Sequence, residues 1–407
     1  MKALYNFGIF LFSVLVHIVA PFSQKASLWV RGRRKWVENA GGKITPGDRV
    51  VWVHCASLGE FEQGRPIIEA IKKEDPHYKI VLTFFSPSGY EVRKNYPGAD
   101  IICYLPLDTP GNSSRLIKLV NPSKVIFIKY EFWNNYLTRL SKKNIPVYLV
   151  SGIFRRDQHF FSWYGSFFRK ILKSFTWIFV QDQNSEELLS SIGIGNVTVA
   201  GDTRFDRVIE ISKTAREIPV IESFRGDEKL FVAGSSWNRD EEIITEYINR
   251  YPGRMKWIFA PHEIDPSNIE RLENLLKVKC TRFSNYDMND HDSRVMIIDN
   301  IGILSSVYRY AYIAEVGGGF GKGIHNILEA ACWSIPVLFG PNHLNFREAT
   351  DLIQREGANS FRDFNQFQQI IENWLDDESE YKKAASAAIK YVTENSGATH
   401  QILSHIT

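Results

Sequence analysis

The stretch Val316-Gly317-Gly318-Gly319-Phe320-Gly321-Lys322-Gly323-Ile324-His325-Asn326-Ile327-Leu328-Glu329-Ala330-Ala331 reads as a buried strand, a glycine loop and a helix start. Such a junction suits phosphate. Glycines let backbone N–H groups approach an anion closely, and the first turn of the next helix adds unpaired donors and the positive end of its dipole. Asn326 and Glu329 are three residues apart and share one helix face, where they can bind a sugar or base beside the phosphate. Two common phosphate fingerprints are excluded. A Walker loop needs Ser or Thr after its Lys, whereas Gly323 follows Lys322, and no G-x-G-x-x-G register can be drawn. The bland alternative is a glycine turn with no ligand.

Outward from this loop, short apolar runs alternate with helical patterns. In the first half the runs are Val50 to Cys55, Ile80 to Phe85, Ile101 to Leu105, Val125 to Ile128, Val147 to Val150, Trp177 to Val180 and Val197 to Ala200. The second half adds Leu230 to Ala233, Trp257 to Ala260, Val295 to Ile298, Tyr312 to Val316 and Pro336 to Phe339. Runs of this kind predict parallel strands buried on both faces, and the pause near 207–227 predicts two doubly wound α/β domains joined there. Ligands of such sheets bind beyond the carboxyl ends of the strands, in a cleft if two domains face each other.

Composition bounds the function. The chain has 407 residues, 44% hydrophobic and 23% charged, enough for two separate cores. A formal charge of +3 is too small to suggest a nucleic-acid binder. The cysteines at 55, 103, 280 and 332 form no C-x-x-C pair, so neither a zinc site nor a disulfide framework is indicated and reduced thiols of a cytoplasmic protein are expected. From Ala3 to Phe22 the chain is almost wholly apolar, long enough at about 1.5 Å per residue to cross a bilayer core of about 30 Å. The basic cluster Lys25, Arg31, Arg33, Arg34, Lys35 follows it, which places the body on the cytoplasmic face of a membrane. Asn6, Gly8, Ser13, His17 and Pro21 dilute the run, so a helix lying in the interface is the alternative to a spanning anchor.

Loops at the strand ends carry the candidate chemistry. After the first strand, Ser57-Leu58-Gly59-Glu60 puts Glu60 at a strand-to-helix turn, where burial can raise its pKa until it serves as a general base. A first-turn acid complementing the helix dipole is the structural alternative, and Glu62 is a competing base. Ser86, Ser88 and Gly89 follow the second strand and can clasp an acceptor or cap a helix. Glu131, beside Phe132 and Trp133, is a second acid that can position the base or the acceptor, the two aromatics reading as core. Paired acids also raise a glycoside hydrolase, against which the phosphate loop argues. On the second domain, Ser235 and Ser236, Pro261 and His262, then the glycine loop and Gly340-Pro341-Asn342 suit a nucleotide mono- or diphosphate donor, with Glu329 on the ribose hydroxyls.

Ordered along the chain, Ser57-Leu58-Gly59-Glu60, Ser86-Pro87-Ser88-Gly89, Glu131-Phe132-Trp133, Gly201-Asp202-Thr203-Arg204-Phe205-Asp206, Gly317-Gly318-Gly319-Phe320, His325-Asn326-Ile327-Leu328-Glu329 and Gly340-Pro341-Asn342 with Asn345-Phe346 resemble the 3-deoxy-D-manno-octulosonic acid (Kdo) transferases. The resemblance runs from the N-terminal segment to the last helix. It implies an α/β protein of GT-B fold, two Rossmann-like doubly wound domains facing across a cleft with an N-terminal membrane-anchor helix. The implied activity is an inverting transfer of Kdo from CMP-Kdo to a lipid A precursor at the cytoplasmic side of the inner membrane, among its lipids. Glu60 would be the catalytic base and Glu131 its assistant. Ser235, Ser236, Pro261, His262, Gly317, Gly318, Gly319, Phe320, Lys322, Asn326 and Glu329 would hold the CMP donor, and Ser57, Gly59, Ser86, Ser88 and Gly89 the acceptor. No metal or other cofactor is expected, because fixed dipoles can neutralise the departing phosphate. The implied division is an anchor at 1–24, an acceptor domain at 25–206, a linker at 207–227, a donor domain at 228–390 and a C-terminal helix at 391–407 packing back on the first domain. The sequence departs from the family pattern at Lys129, where an acid is common, at Asn134, where a proline is common, and at Pro261-His262-Glu263, where many members have Pro-Arg-His. A cationic phosphate contact would then move to Lys322 or Arg239. Two other classes stay open at this point: a related nucleotide-sugar epimerase and a noncatalytic membrane-tethered scaffold.

Overall fold

Branched and aromatic residues dominate the apolar runs, and each run forms a strand whose two faces are both covered. The computed structural model describes residues 1–41 and 44–406. In the first half the strands are β1 (Val50–Cys55), β2 (Lys79–Phe84), β3 (Ile101–Tyr104), β4 (Lys124–Ile128), β5 (Val147–Gly152), β6 (Trp177–Val180) and β7 (Val197–Val199). They lie in the order β3-β2-β1-β4-β5-β6-β7, every neighbouring pair parallel. The second half forms another parallel sheet from β8 (Leu230–Ser236), β9 (Lys256–Pro261), β10 (Cys280–Arg282), β11 (Val295–Ile297), β12 (Ile313–Val316), β13 (Val337–Phe339) and β14 (Ala358–Ser360). Its order is β10-β11-β9-β8-β12-β13-β14. Strands β10 and β14 were not expected. Both are three-residue edge strands that are mostly half-exposed, so they carry no apolar run to read.

Chain packing divides the protein into two compact units, Met1–Arg207 with Ser396–Thr407, and Val208–Asn395. The stretch 207–227 is occupied mainly by the helices Thr203–Thr214 and Pro219–Arg225. Helix Ala398–Ile406 belongs to the first unit, where Ile402, Leu403 and Ile406 enter the core shared by β1, β2 and helix Leu58–Glu74. Its start is fixed by Asp206, whose carboxylate accepts from the amides of Gly397 (2.5 Å) and Thr399 (2.7 Å). Lys124 Nζ donates to the carbonyl of Ile406 at 2.7 Å.

The N-terminal apolar segment is a helix, Lys2–Val19, with one face against the first unit. Tyr5, Asn6, Ile9, Ser13 and Val16 are half-buried at helical spacing, while Leu4, Phe7, Phe10, Leu11, Leu15 and Ile18 are exposed. Tyr5 donates its hydroxyl to Asp108 Oδ2 at 2.6 Å, and Asn135 Nδ2 donates to Asn6 Oδ1 at 2.9 Å. Further along, the Phe12 ring lies 5.7 Å from Trp29 and 6.1 Å from Phe85. The helix is therefore docked along its length rather than joined at one end.

Because Ile402 is fully buried, Ile402→Ala should lower the stability of the first unit by about 2 to 5 kcal/mol. Urea unfolding followed by near-UV circular dichroism measures this, and an unchanged midpoint would mean that the last helix does not stabilise that unit.

Candidate active site

In the first sheet the strand order reverses between β1 and β4, and the expected acids sit just beyond those two tips. Helix Leu58–Glu74 starts directly after β1, and Glu60 folds back over its first turn. Glu60 Oε2 accepts the Ser57 amide at 2.8 Å and the Ser57 hydroxyl at 3.2 Å. Burial, and then the charge of Glu131, raise the Glu60 pKa above the ordinary carboxylate value, while His54 and the Ser57 bonds oppose the rise. Glu62 is paired with Arg93 at 2.8 Å and with Arg65 at 4.0 Å, so the competing acid is engaged elsewhere.

Glu131 arrives from β4 through a sharp exit turn. Lys129 takes a left-handed backbone (φ 67°) there, while its amide still donates to Val150 O at 2.8 Å. The buried Glu131 carboxylate accepts from His54 Nε2 at 2.8 Å and from Trp133 Nε1. Behind it, His54 Nδ1 faces Thr83 Oγ1 at 2.8 Å, and Trp52 Nε1 donates to the same hydroxyl at 2.8 Å. The register of β1 against β2 puts His54 opposite Thr83, so the strands themselves build this chain of bonds. Phe132 packs on Phe154 and Phe160 as a core residue, whereas Trp133 serves Glu131 as well as stacking on Phe85 at 5.0 Å.

The acceptor-side candidates occupy two adjoining turns. Ser86 N donates to Ala56 O at 2.7 Å, tying the loop after β2 to the loop after β1. Ser86 caps helix Pro87–Arg93 through its hydroxyl, with Ser88 Oγ 3.0 Å away. Gly89 is buried, and a Cβ there would lie 2.3 Å from the Phe84 ring, so this glycine packs its helix on the strand. Gly59 is exposed and open.

In the second sheet the order reverses between β8 and β12, and here too the candidates gather at two strand tips. The glycine loop is drawn tight to its neighbours. A Cβ on Gly317 would lie 2.3 Å from Ser235 O, and one on Gly319 2.6 Å from Gly340 Cα. The amides of Gly317, Gly318, Gly321 and Gly323 donate to Gly234 O, Asp240 Oδ2, Gly318 O and Gly318 O. The glycines thus permit close packing, and these four N–H groups hold the loop itself. The helix expected directly after the loop also differs. It is a single turn, Leu328–Ala331, and the long helix opening at this edge is Asn238–Arg250, which follows β8.

Around that helix start, Trp237, His262 and His325 form a ring stack, with His262 4.6 Å from Trp237 and 4.4 Å from His325. Trp237 Nε1 donates to His325 Nε2 at 3.1 Å, and burial, with His262 beside it, pushes the His325 pKa down to about 4. Asn326 Nδ2 donates to Glu329 Oε1 at 3.1 Å, so the two residues expected on one face do meet. Ser235 takes a left-handed backbone (φ 52°) at the β8 bulge; Ser236 is buried and donates to Glu241 Oε1 at 2.8 Å. Pro261 ends β9 buried, Lys322 is exposed, and Phe320 packs on Phe361 at 5.4 Å. Beneath the loop, Asp240 Oδ2 accepts the Trp237 amide at 2.9 Å and the Gly318 amide at 3.3 Å. Glu315 adjoins it; burial and then Asp240 push the Glu315 carboxyl well above the usual range, and burial pushes Asp240 up to about 6. Among the described residues, no cluster of three or more His, Cys, Asp or Glu is placed to hold a metal ion.

A family model described as 3-deoxy-D-manno-octulosonic-acid transferase (kdotransferase) matches residues 30–207. A 3-deoxy-D-manno-octulosonic acid transferase of Aquifex aeolicus is 31% identical over 315 residues, covering 76% of this chain and 80% of that protein. The chain belongs to this transferase family. A second such transferase, from Haemophilus influenzae, is 26% identical over 380 residues, 89% of this chain and 88% of that one. Among solved structures, a UDP-GlcNAc 2-epimerase from Neisseria meningitidis superposes with a TM-score of 0.62 at 17% identity over 88% of this chain and 99% of its own. MurG from Acinetobacter baumannii superposes with a TM-score of 0.51 at 10% identity over the same shares. These likenesses show the fold, GT-B as the resemblance implied, and the sequence relatives make the protein a glycosyltransferase.

His54, Trp133, Asp240 and Glu315, which the structure places against the candidate residues, were not singled out as candidates from the sequence. A signal existed for two of them, since His54 and Glu315 interrupt apolar runs that otherwise read as strands. Glu131→Gln keeps acceptors for His54 and Trp133 but removes the negative neighbour of Glu60. The Glu60 titration should therefore move to lower pH, read from its carboxyl carbon by NMR, and an unmoved midpoint would exclude Glu131 as a cause of the shift.

Proposed function

We propose that this transferase moves Kdo from CMP-Kdo to a hydroxyl of a lipid A precursor, inverting the anomeric carbon. The observation that carries the proposal is the Glu60 carboxyl at the β1 tip, raised above its ordinary value and flanked by the Glu131–His54 pair. Glu60 takes the proton of the acceptor hydroxyl as that oxygen attacks. Glu131 assists by keeping the Glu60 pKa up, which makes Glu60 the stronger base, and is itself oriented by His54 and Trp133. Ser57 holds the base, and Gly59 leaves open space beside it for the acceptor, with the Ser86-Ser88-Gly89 turn forming the adjoining wall.

On the second unit, the start of helix Asn238–Arg250 with Ser235, Ser236 and the loop Gly317–Lys322 receives the CMP phosphate, and the dipole there neutralises the leaving group without a metal. Pro261, His262 and Phe320 shape the donor pocket, while Asn326 and Glu329 bind ribose. Because helix Lys2–Val19 is docked along one face and apolar on the other, we place it in the cytoplasmic interface of the inner membrane, where the lipid acceptor resides.

Incubation with CMP-Kdo and a tetraacyl lipid A precursor should add Kdo to the lipid, seen by mass spectrometry; no mass gain would reject the assignment. Glu60→Gln cannot accept the proton and should lower turnover by about a hundredfold or more with folding intact. For the wild type, kcat/KM should rise with pH as Glu60 ionises, its limb lying above the ordinary carboxylate range because the folded pKa is raised. Glu329→Ala should weaken CMP binding by about 1.5 to 3 kcal/mol, and calorimetry giving an unchanged affinity would remove Glu329 from the donor site.

A further inference from the structure

We propose that the turn Ser162-Trp163-Tyr164-Gly165 is a second membrane contact, which sets its aromatic tip into the headgroup layer of an anionic bilayer. The proposal rests on the membrane reading of helix Lys2–Val19 and adds a separate element to it. Trp163 is 92% exposed, the most exposed of the large hydrophobic residues described, and Tyr164 beside it is exposed as well. A single exposed apolar residue is ordinary on a protein surface, but this one is held out by a built turn.

Arg169 Nη1 donates to Phe160 O at 2.9 Å and Ser162 O at 3.0 Å, and Gly165 N donates to Ser162 O at 2.9 Å. A Cβ on Gly165 would lie 2.3 Å from His159 O, so the backbone can fold back only at glycine. His159 Nδ1 lies 3.1 Å from the Tyr164 hydroxyl, and Phe160 anchors the base of the turn in the core. The tip is rigid, which removes the ordering cost of insertion.

Charge and topology choose the occupant. Between residues 153 and 173 the chain carries Arg155, Arg156, Arg169, Lys170 and Lys173 against a single acid, Asp157. Arg155, Arg156, Lys170 and Lys173 are exposed. Tryptophan and tyrosine with surrounding cations match the headgroup layer, where the rings keep their polar edges wet and the cations meet lipid phosphates. The segment leaves the tip of β5, and in a parallel sheet that tip shares an edge with those of β1, β2 and β4. Helix Lys2–Val19 docks at this same edge, and its Tyr5 ring lies 6.0 Å from Phe167, four residues after Trp163. The helix thus adjoins the segment that carries the turn, and contact by both would bring the edge bearing Glu60 to the membrane surface.

The test uses the full chain with Trp163→Cys carrying an environment-sensitive fluorophore and Cys280→Ser; the other cysteines are buried. Vesicles of phosphatidylethanolamine and phosphatidylglycerol should shift the emission to the blue, and brominated lipid should quench it. Trp163→Ser with Tyr164→Ser should weaken vesicle binding by about tenfold, leaving turnover on detergent-dispersed acceptor unchanged. Flotation of the protein with vesicles while the probe stays water-exposed overturns this proposal and leaves the membrane reading standing. Failure of the wild-type chain to float overturns both. A shift produced by raising protein concentration without vesicles assigns the turn to a second copy of the chain, and also overturns it.

Discussion

In a sheet whose strands all run one way, every strand tip opens at the same edge, and each return must cross a face of the sheet. That constraint organises both units. It covers the faces with helices, so the strands become apolar throughout, and it delivers all the loops that can hold polar chemistry to one rim. Where the order reverses, between β1 and β4 and between β8 and β12, neighbouring loops turn apart and leave room for side chains. The Glu60 and Glu131 turns occupy the first of these gaps. The Ser235 bulge and the glycine loop occupy the second.

Both gaps hold buried acids, and they are managed in opposite ways. Glu131 is surrounded by donors, His54 Nε2 and Trp133 Nε1, which satisfy a charged carboxylate in a dry place. Its charge then acts on Glu60, making proton uptake easier there. Asp240 and Glu315 adjoin, and burial, then the charge of Asp240, favours the protonated form of Glu315. Asp240 retains acceptors for the amides of Trp237 and Gly318, and so fastens the glycine loop to the helix that follows β8. In one acid pair a carboxylate shifts its neighbour's titration, and in the other it holds backbone in place.

Which parts of this were legible beforehand follows from what a one-dimensional pattern can carry. Buried parallel strands announce themselves as apolar runs, so twelve strands were located to within a few residues of their observed ends, and the family motifs brought the fold with them. Edge strands β10 and β14 had no such run, because half of each is wet. Glu60 and Glu131 stood out as acids at strand tips. His54 showed only as a break in an apolar run, because its partner Thr83 is supplied by register between strands, which no local spacing records. The glycine loop was read as a cradle of free amides followed by a helix. The amides of Gly317, Gly318, Gly321 and Gly323 instead donate to Gly234, to Asp240 and to Gly318, since long-range packing against Ser235 and Gly340 fixes the path of the loop. The apolar N-terminal segment was legible as a helix, but the face that fastens it to Asp108 and Asn135 depends on residues more than a hundred positions away.

The first unit is built from two separate stretches of chain, with the whole of the second unit threaded between them. During synthesis the ribosome releases residues in order, so the apolar surface of helix Leu58–Glu74 waits uncovered while nearly two hundred intervening residues emerge. The second unit can reach its own fold in that interval. The first completes its core only when Ile402, Leu403 and Ile406 arrive. A chain broken off before its last helix would therefore carry a complete second unit, and a first unit, bearing Glu60, whose core lacks these three residues. Completion of the polypeptide is thereby coupled to completion of the unit that carries Glu60.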